Sequence, residues 1–324
     1  MTLVFVEHDG SRPSRSSLEA LTVARGLAGE GDDGLEALLV GPGSAEVSAG
    51  LGAHGVTGAH VVSDPRLEAY APAAWGRCLA QAAAASSARV VLAAGTDRGQ
   101  EVVAHAAAMS GNPMAANCVE VRAGEPYRVT RQRWGGSLLE EATIDGPIRF
   151  LTIAEHIAEP VEAASASTVA VQGLDPVLEP GDLRSRVVAR VAPEAGTISL
   201  ADARVVVGGG RGVGSAEGFG DLEELAGLLG GAVGVSRVVT SAGWRPHAMQ
   251  VGQTGTRIAP DLYIACGISG AIQHIVGCKA AKAILVINTD REAPIMGRAS
   301  YAVIGDLHAV VPAISAEIRR VSGA

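Results

Sequence analysis

Between Val251 and His274 the chain carries VGQTG and GISGAIQH, two glycine-bracketed runs whose polar residues suit a ligand better than a core. Gly252 and Gly255 enclose Gln253 and Thr254, so the backbone turns tightly and offers an amide, a hydroxyl and N–H groups to one partner. Gly267 and Gly270 enclose Ser269. The apolar run 262–266 precedes them as a buried strand, and a helix is expected to begin near Ala271 and run through Ile272, Gln273 and His274. Such a helix start leaves free N–H groups where a phosphate can sit. Upstream, GGGRGVGS (208–215) follows a strand-like run and precedes a helical one. A dinucleotide loop of the GxGxxG type also needs an acidic ribose partner about 20 residues on. The only candidates, Glu223 and Glu224, fall inside the next helix, which disfavours an ordinary NAD site. Arg211 in this loop is either a bidentate pyrophosphate donor or a solvated loop arginine. Ser236 and Arg237 terminate AVGV. There Arg237 is either fixed positive charge beside a ligand that turns negative on reduction or one half of a surface ion pair. Asn288 ends AILVIN and Asp306 follows YAVIG, so four strand ends converge on one edge, where open α/β sheets bind ligands.

Other chemistries lack their residues. His8 and Asp9 follow the first strand, but no GxSxG nucleophile motif accompanies them, and neither HExxH nor paired Cys/His spacing suggests a metal. The remaining histidines share no spacing. Cys78, Cys118, Cys266 and Cys278 form no CxxC pair, and four cysteines in 324 residues are not a disulfide scaffold. A net charge of −8 without a Lys/Arg-rich run sets aside nucleic acid and anionic membranes as partners. Aromatic residues make up 3% of the chain, so recognition rests on backbone, Arg, His and amide groups instead of stacking. No run approaches the ~18 apolar residues of a membrane span, and acidic residues interrupt MTLVFVEHDG before a signal-peptide core could form. A cytoplasmic protein is expected.

The elements that must position these residues alternate between strand and helix. Apolar runs at 3–6, 37–40, 59–62 and 90–94 read as strands, and 16–27, 45–51, 73–85 and 101–109 as helices, the pattern of a parallel sheet wrapped by helices. Ser16 with Glu19 forms a candidate capping box. From 116 to 153 the pattern changes to three β-like runs, CVEVRA, YRVTRQRW and IRFLTI, read as an antiparallel edge finishing the domain. The expected organisation is an N-terminal α/β domain over 1–160 and a connector with embedded strands, STVAVQ and RVVARVAP, over 161–200. A doubly wound nucleotide-binding domain follows over 201–324.

The ordered set GRG (210–212), SR (236–237), QVGQTG (250–255), APDLY (259–263), GISGAIQH (267–274), IN (287–288) and GDL (305–307) closely resembles the alpha subunit of electron-transfer flavoprotein. It spans nearly the whole C-terminal domain. The N-terminal half, including VEHDG, matches that family's nucleotide-hydrolase-like domain more diffusely. The resemblance implies that Arg211, Ser236, Val251, Gly252, Gln253, Thr254, Gly267, Ser269, Gly270, Ala271, Ile272, Gln273, His274, Asn288, Asp306 and Leu307 line FAD. Arg237 and His274 would supply positive charge or a donor beside the ring and so favour its anionic one-electron-reduced form. Thr254 would reach the reactive edge. Arg211 and the helix start after Ser269 would take the pyrophosphate, with Asn288 and Asp306 toward the adenosine. Gly214, Gly218 and His247 depart from the family's usual residues, which bears on loop rigidity and partner docking.

What the resemblance implies about function is an electron carrier, not a self-contained enzyme. It would be a heterodimer with a beta subunit that holds AMP, fed by flavin dehydrogenases such as the acyl-CoA dehydrogenases of fatty acid β-oxidation. It would deliver single electrons to a membrane quinone oxidoreductase. One-electron shuttling needs no nucleophile or general acid, in keeping with their absence from the motifs. The alternatives are a bifurcating or dedicated-pathway flavoprotein subunit and a nucleotide-binding scaffold without redox work.

Overall fold

Strands whose residues are buried on both sides must be covered by helices on both faces, and both halves of the chain meet that requirement. The computed structural model describes residues 1–28, 34–189 and 198–322. The chain divides into two compact units, 1–191 and 192–324. The first unit runs β1 (Thr2–Phe5), α1 (Arg15–Ala28), β2 (Leu35–Val40), α2 (Ser44–Gly50), β3 (Gly58–Val62), α3 (Pro72–Ala85), β4 (Val90–Ala94), α4 (Asp97–Ser110), β5 (Met114–Arg122), β6 (Tyr127–Arg133), β7 (Leu138–Ile144), β8 (Arg149–Ile153) and β9 (Ala170–Gly173). Its nine strands lie in the order β7-β6-β5-β8-β4-β1-β2-β3-β9. The period of two sorts the core: Leu3 and Phe5 join the cluster under α3 and α4, whereas Val4 and Val6 join the one under α1.

Three local expectations are corrected. IRFLTI is not an antiparallel edge: β8 is central, parallel to β4 on one side and to β5 on the other. The antiparallel edge is β5-β6-β7, and its outer strand, LLEEATI, has four exposed residues of seven and therefore no apolar run to announce it. The capping box at Ser16 and Glu19 does not form. Ser14 Oγ accepts from Ser17 N at 3.2 Å, Ser16 reaches Glu155, and the buried Glu19 carboxylate accepts from His156 N and Arg15.

Residues 161–189, read as connector, lie against the first unit. STVAVQ contributes β9, parallel to β3. RVVARVAP shows no strand over 186–189, and the rest of it lies outside the described residues. The segment is held by Asp182, which is 4% exposed and takes both Arg77 Nε (2.5 Å) and Arg77 Nη2 (3.1 Å) from α3, as well as Glu179 N at 2.7 Å. Burial alone raises an aspartate's pKa, but here the Arg77 and Glu179 donors outweigh it and hold Asp182 below its usual value. A depressed folded pKa adds stability above the unfolded value and loses it as pH falls through the folded one. Asp182→Ala removes the bidentate partner of a largely buried guanidinium and leaves it only Glu179, at 3.2 Å. It is expected to cost about 2–3 kcal/mol, at or below the low end for a broken buried pair because Glu179 and some water still reach Arg77. Urea denaturation of the full chain checks this, and the loss should shrink in acid.

The second unit runs β10 (Val205–Gly209), α5 (Gly220–Leu228), β11 (Ala232–Val235), α6 (Arg237–Ser241), β12 (Leu262–Cys266), α7 (Ile272–Cys278), β13 (Ala283–Asn288), β14 (Tyr301–Ile304) and α8 (Leu307–Ser322). All five strands are parallel, in the order β11-β10-β12-β13-β14. Side chains again alternate: Val207, Ile264 and Cys266 pack under α5 and α8, while Val206, Tyr263 and Ala265 pack on the opposite face with Cys278 of α7. All four cysteines are free and buried, two in each unit, and burial pushes each thiol up to about 12. No described helix is long and apolar enough to cross a membrane.

Candidate functional site

A strand order of second, first, third, fourth, fifth sends the chain in opposite directions from β10, so a crevice opens at the carboxyl ends of β10 and β12. A cleft of about 740 Å³ lies there, in the upper half of the range for small-molecule sites. Its floor is backbone against backbone. Gly210 N donates to Cys266 O (2.9 Å) and Gly212 N to Gly267 O (3.1 Å), stitching the loop after β10 to the loop after β12. A Cβ on Gly212 would stand 2.7 Å from Gly267 Cα. Gly270 adopts φ +81°, and a Cβ there would meet Ile295 N at 2.5 Å.

Sixteen of the seventeen residues expected at the site line this cleft. Arg211 begins a short 3₁₀ turn over Arg211–Val213 after β10, and Ser236 and Arg237 follow β11, with Ser236 N donating to Gly209 O at 3.0 Å. Val251, Gly252, Gln253 and Thr254 form one wall, tied by Gln253 N to Gln273 O (2.7 Å). Gly267, Ser269, Gly270, Ala271, Gln273 and His274 form the turn into α7, and Asn288, Asp306 and Leu307 close the far end. The exception is Ile272. It is 71% exposed and faces away from the cleft, because the helix beginning there turns it outward.

Two side chains expected as ligand groups also serve the scaffold. Asn288 Nδ2 donates to Ile268 O (2.9 Å) and its Oδ1 accepts from Asp290 N, while Asp306 Oδ1 accepts from His308 N at the start of α8. Of the departures noted above, Gly214 has φ +85° with open space around its Cβ position. Gly218 is packed: a Cβ would stand 2.5 Å from Val213 O, so glycine is needed there.

Behind the exposed polar groups lies a buried layer. Gln250, 2% exposed, accepts from Thr240 Oγ1 (2.7 Å) and donates to Thr254 Oγ1 (3.0 Å). His274, 6% exposed, shares a 2.8 Å hydrogen bond between its Nε2 and Tyr263 Oη. Burial pushes His274 down to about 4, against a smaller upward pull from the Val251 carbonyl, so the imidazole is neutral at pH 7. Of the two roles expected of His274, positive charge or a donor, the neutral ring offers the donor.

The donor set fits a dinucleotide carrying phosphates and a reducible ring. Arg211 and Arg237 form no ion pair among the described residues and both face the cleft. The N–H groups of Ala271, Ile272 and Gln273 are used by no acceptor among the described residues. His274 Nδ1 is buried without a partner of hydrogen-bonding geometry. Sequence reasoning missed Val238, Ser241, Thr289, Asp290 and Ala293 in the lining. All five follow within five residues of Ser236 or Asn288, the polar ends of β11 and β13, which is the one signal that could have found them.

Residues 2–178 match the electron transfer flavoprotein domain family, and residues 199–279 match the electron transfer flavoprotein FAD-binding domain. The electron transfer flavoprotein subunit alpha of Mycobacterium tuberculosis (strain ATCC 25618 / H37Rv) is 38% identical over 323 residues, covering 99% of each chain. That of Bacillus subtilis (strain 168) is 32% identical over 307 residues, covering 94% of this chain and 93% of the relative. Protein FixB of Clostridium saccharobutylicum is 34% identical over 328 residues, covering 99% and 97%. Likeness that runs the length of both chains and through both units means that this chain belongs to the electron transfer flavoprotein alpha-subunit family, with FAD as the cofactor of its second unit.

Proposed function

We propose that this chain is the alpha half of a cytoplasmic heterodimer, paired with a beta subunit that carries AMP. In this reading it takes electrons from flavin dehydrogenases of the acyl-CoA type and hands them singly to a quinone oxidoreductase. Bound FAD supplies the electron-accepting ring. The chain's own residues bind and tune it. Arg211 and the free N–H groups at the start of α7 hold the pyrophosphate. Arg237 places a fixed charge beside the ring, and Thr254 offers its hydroxyl to the reactive edge. Gly252 and Gly270 let the backbone approach closely, and Asn288, Asp306 and Leu307 bound the adenosine end.

One observation carries this reading. The cleft concentrates two unpaired arginines, yet among the described residues none of its serines is hydrogen-bonded to a histidine or carboxylate. Such a site can bind and stabilise negative charge but has no activated nucleophile, which suits a carrier. The test is co-expression with a beta subunit, followed by the visible spectrum through stepwise reduction. One FAD per chain, with the first and second electrons resolved, supports the proposal. Reduction by an acyl-CoA dehydrogenase and its substrate supports the donor class. A colourless complex that takes up no added FAD overturns it.

A further inference from the structure

Tyr263 contributes nothing to the cleft surface, yet the fold makes room for it at some cost. It lies on β12, is fully buried, and stacks at a tilt on His274 with ring centroids 6.0 Å apart. Glycine at Gly208 is what admits its hydroxyl: a Cβ there would stand 2.3 Å from Tyr263 Oη. Among the described residues the hydroxyl forms one hydrogen bond, the 2.8 Å contact with His274 Nε2.

Donor accounting decides which way that bond runs. A tyrosine hydroxyl has one proton, and a neutral imidazole has one N–H and one acceptor nitrogen. If Nε2–H donated to Oη, the tyrosine proton would be sealed in an apolar core with no acceptor among the described residues, and the full desolvation penalty of an unmade bond would be incurred. An imidazolium would strand the same proton and bury a charge besides. If Oη–H donates to Nε2, the hydroxyl proton and the ring's acceptor nitrogen are both satisfied, and Nδ1–H alone is left without a partner among the described residues. The imidazole proton then sits on Nδ1, and His274 lines the cleft.

We infer that Tyr263 is a positioning residue that locks His274 as the neutral Nδ1–H tautomer, so that His274 meets the cofactor as an oriented dipole. Fixed positive charge then rests on Arg211 and Arg237 alone. The tautomer follows from this chain's own packing, whereas its use toward FAD rests on the function proposed above.

Nitrogen-15 spectroscopy of the full chain labelled in histidine, before and after adding FAD, tests the two separately. His274→Gln assigns the signal by its loss. The expected result without FAD is an acceptor-type Nε2 and a protonated Nδ1 at neutral pH. A protonated Nε2 in the unaltered chain overturns the inference, and this reading needs no variant to fold. Tyr263→Phe keeps the ring and removes only the hydroxyl. It is expected to release the lock, giving a mixed tautomer signal and about a threefold to tenfold weaker Kd for FAD. Unchanged nitrogen shifts together with an unchanged Kd overturn the positioning role. A chain with the expected tautomer that binds no FAD would uphold the lock and sink the cofactor reading instead.

Discussion

Gly210→Ala is expected to remove FAD binding almost entirely while leaving the first unit intact. The backbone at Gly210, φ −109° and ψ −166°, is open to any residue, so torsional strain is not the reason. The reason is contact: a Cβ would stand 2.3 Å from Gly267 O and 2.8 Å from Gly267 C and Ile268 Cα, all backbone atoms that cannot rotate away. The loops after β10 and β12 must separate, which stretches both Gly210 N to Cys266 O and Gly212 N to Gly267 O and breaks the cleft floor. Overpacking costs about 1–3 kcal/mol, and each lost hydrogen bond adds about 1 kcal/mol. At ~1.4 kcal/mol per tenfold, FAD affinity falls by roughly 100-fold or more. Fluorescence titration with FAD measures it. Gly214→Ala is the control for backbone strain without contact, since φ +85° and ψ −39° strain an alanine by about 1–3 kcal/mol but its Cβ meets nothing and the two loops stay joined. A G210A chain that binds FAD like its parent would show that the two loops need not touch.

Arg237→Ala is expected to lower the midpoint potential for the first electron. With His274 neutral, Arg237 and Arg211 carry the cleft's fixed positive charge, and among the described residues Arg237 forms no ion pair that would cancel it. A unit charge near a developing anion contributes about 1–2 kcal/mol, given the solvent screening of an exposed guanidinium. For one electron that is about 40–90 mV, from 59 mV per tenfold. Thr254→Val should shift the potential by about half as much, because a neutral hydrogen bond is roughly half as strong as a charged one. Potentiometric titration separates the two variants. An Arg237→Ala potential equal to the parent's would move the tuning charge elsewhere.

The contact surface of the cleft was largely legible because each group ends an apolar strand. Ser236, Asn288 and Asp306 are polar residues at points where β11, β13 and β14 run out, and parallel topology gathers those points on one edge. The layer behind was not legible. Tyr263 with His274, and Thr240 with Gln250, meet across different elements 11 and 10 residues apart, and nothing local marks either pair. The sequence left His274 open between positive charge and a donor for the same reason, since burial sets its charge state and burial is a tertiary property. In the first unit, β7 escaped because an exposed edge strand has no hydrophobic alternation to display, and Asp182 because its partner lies 105 residues away.

The four buried thiols turn the molecule into its own unfolding gauge. Each is shielded from reagent and held protonated by burial, so an alkylating agent reacts only when the surrounding core opens. Cys78 and Cys118 report on the first unit and Cys266 and Cys278 on the second, because each pair sits in its own unit's core. A timed pulse of maleimide followed by intact mass therefore distinguishes opening of one unit, at two adducts, from opening of both, at four. Peptide mapping then says which unit it was. Ligand protection by FAD should appear as slower labelling of Cys266 and Cys278 alone.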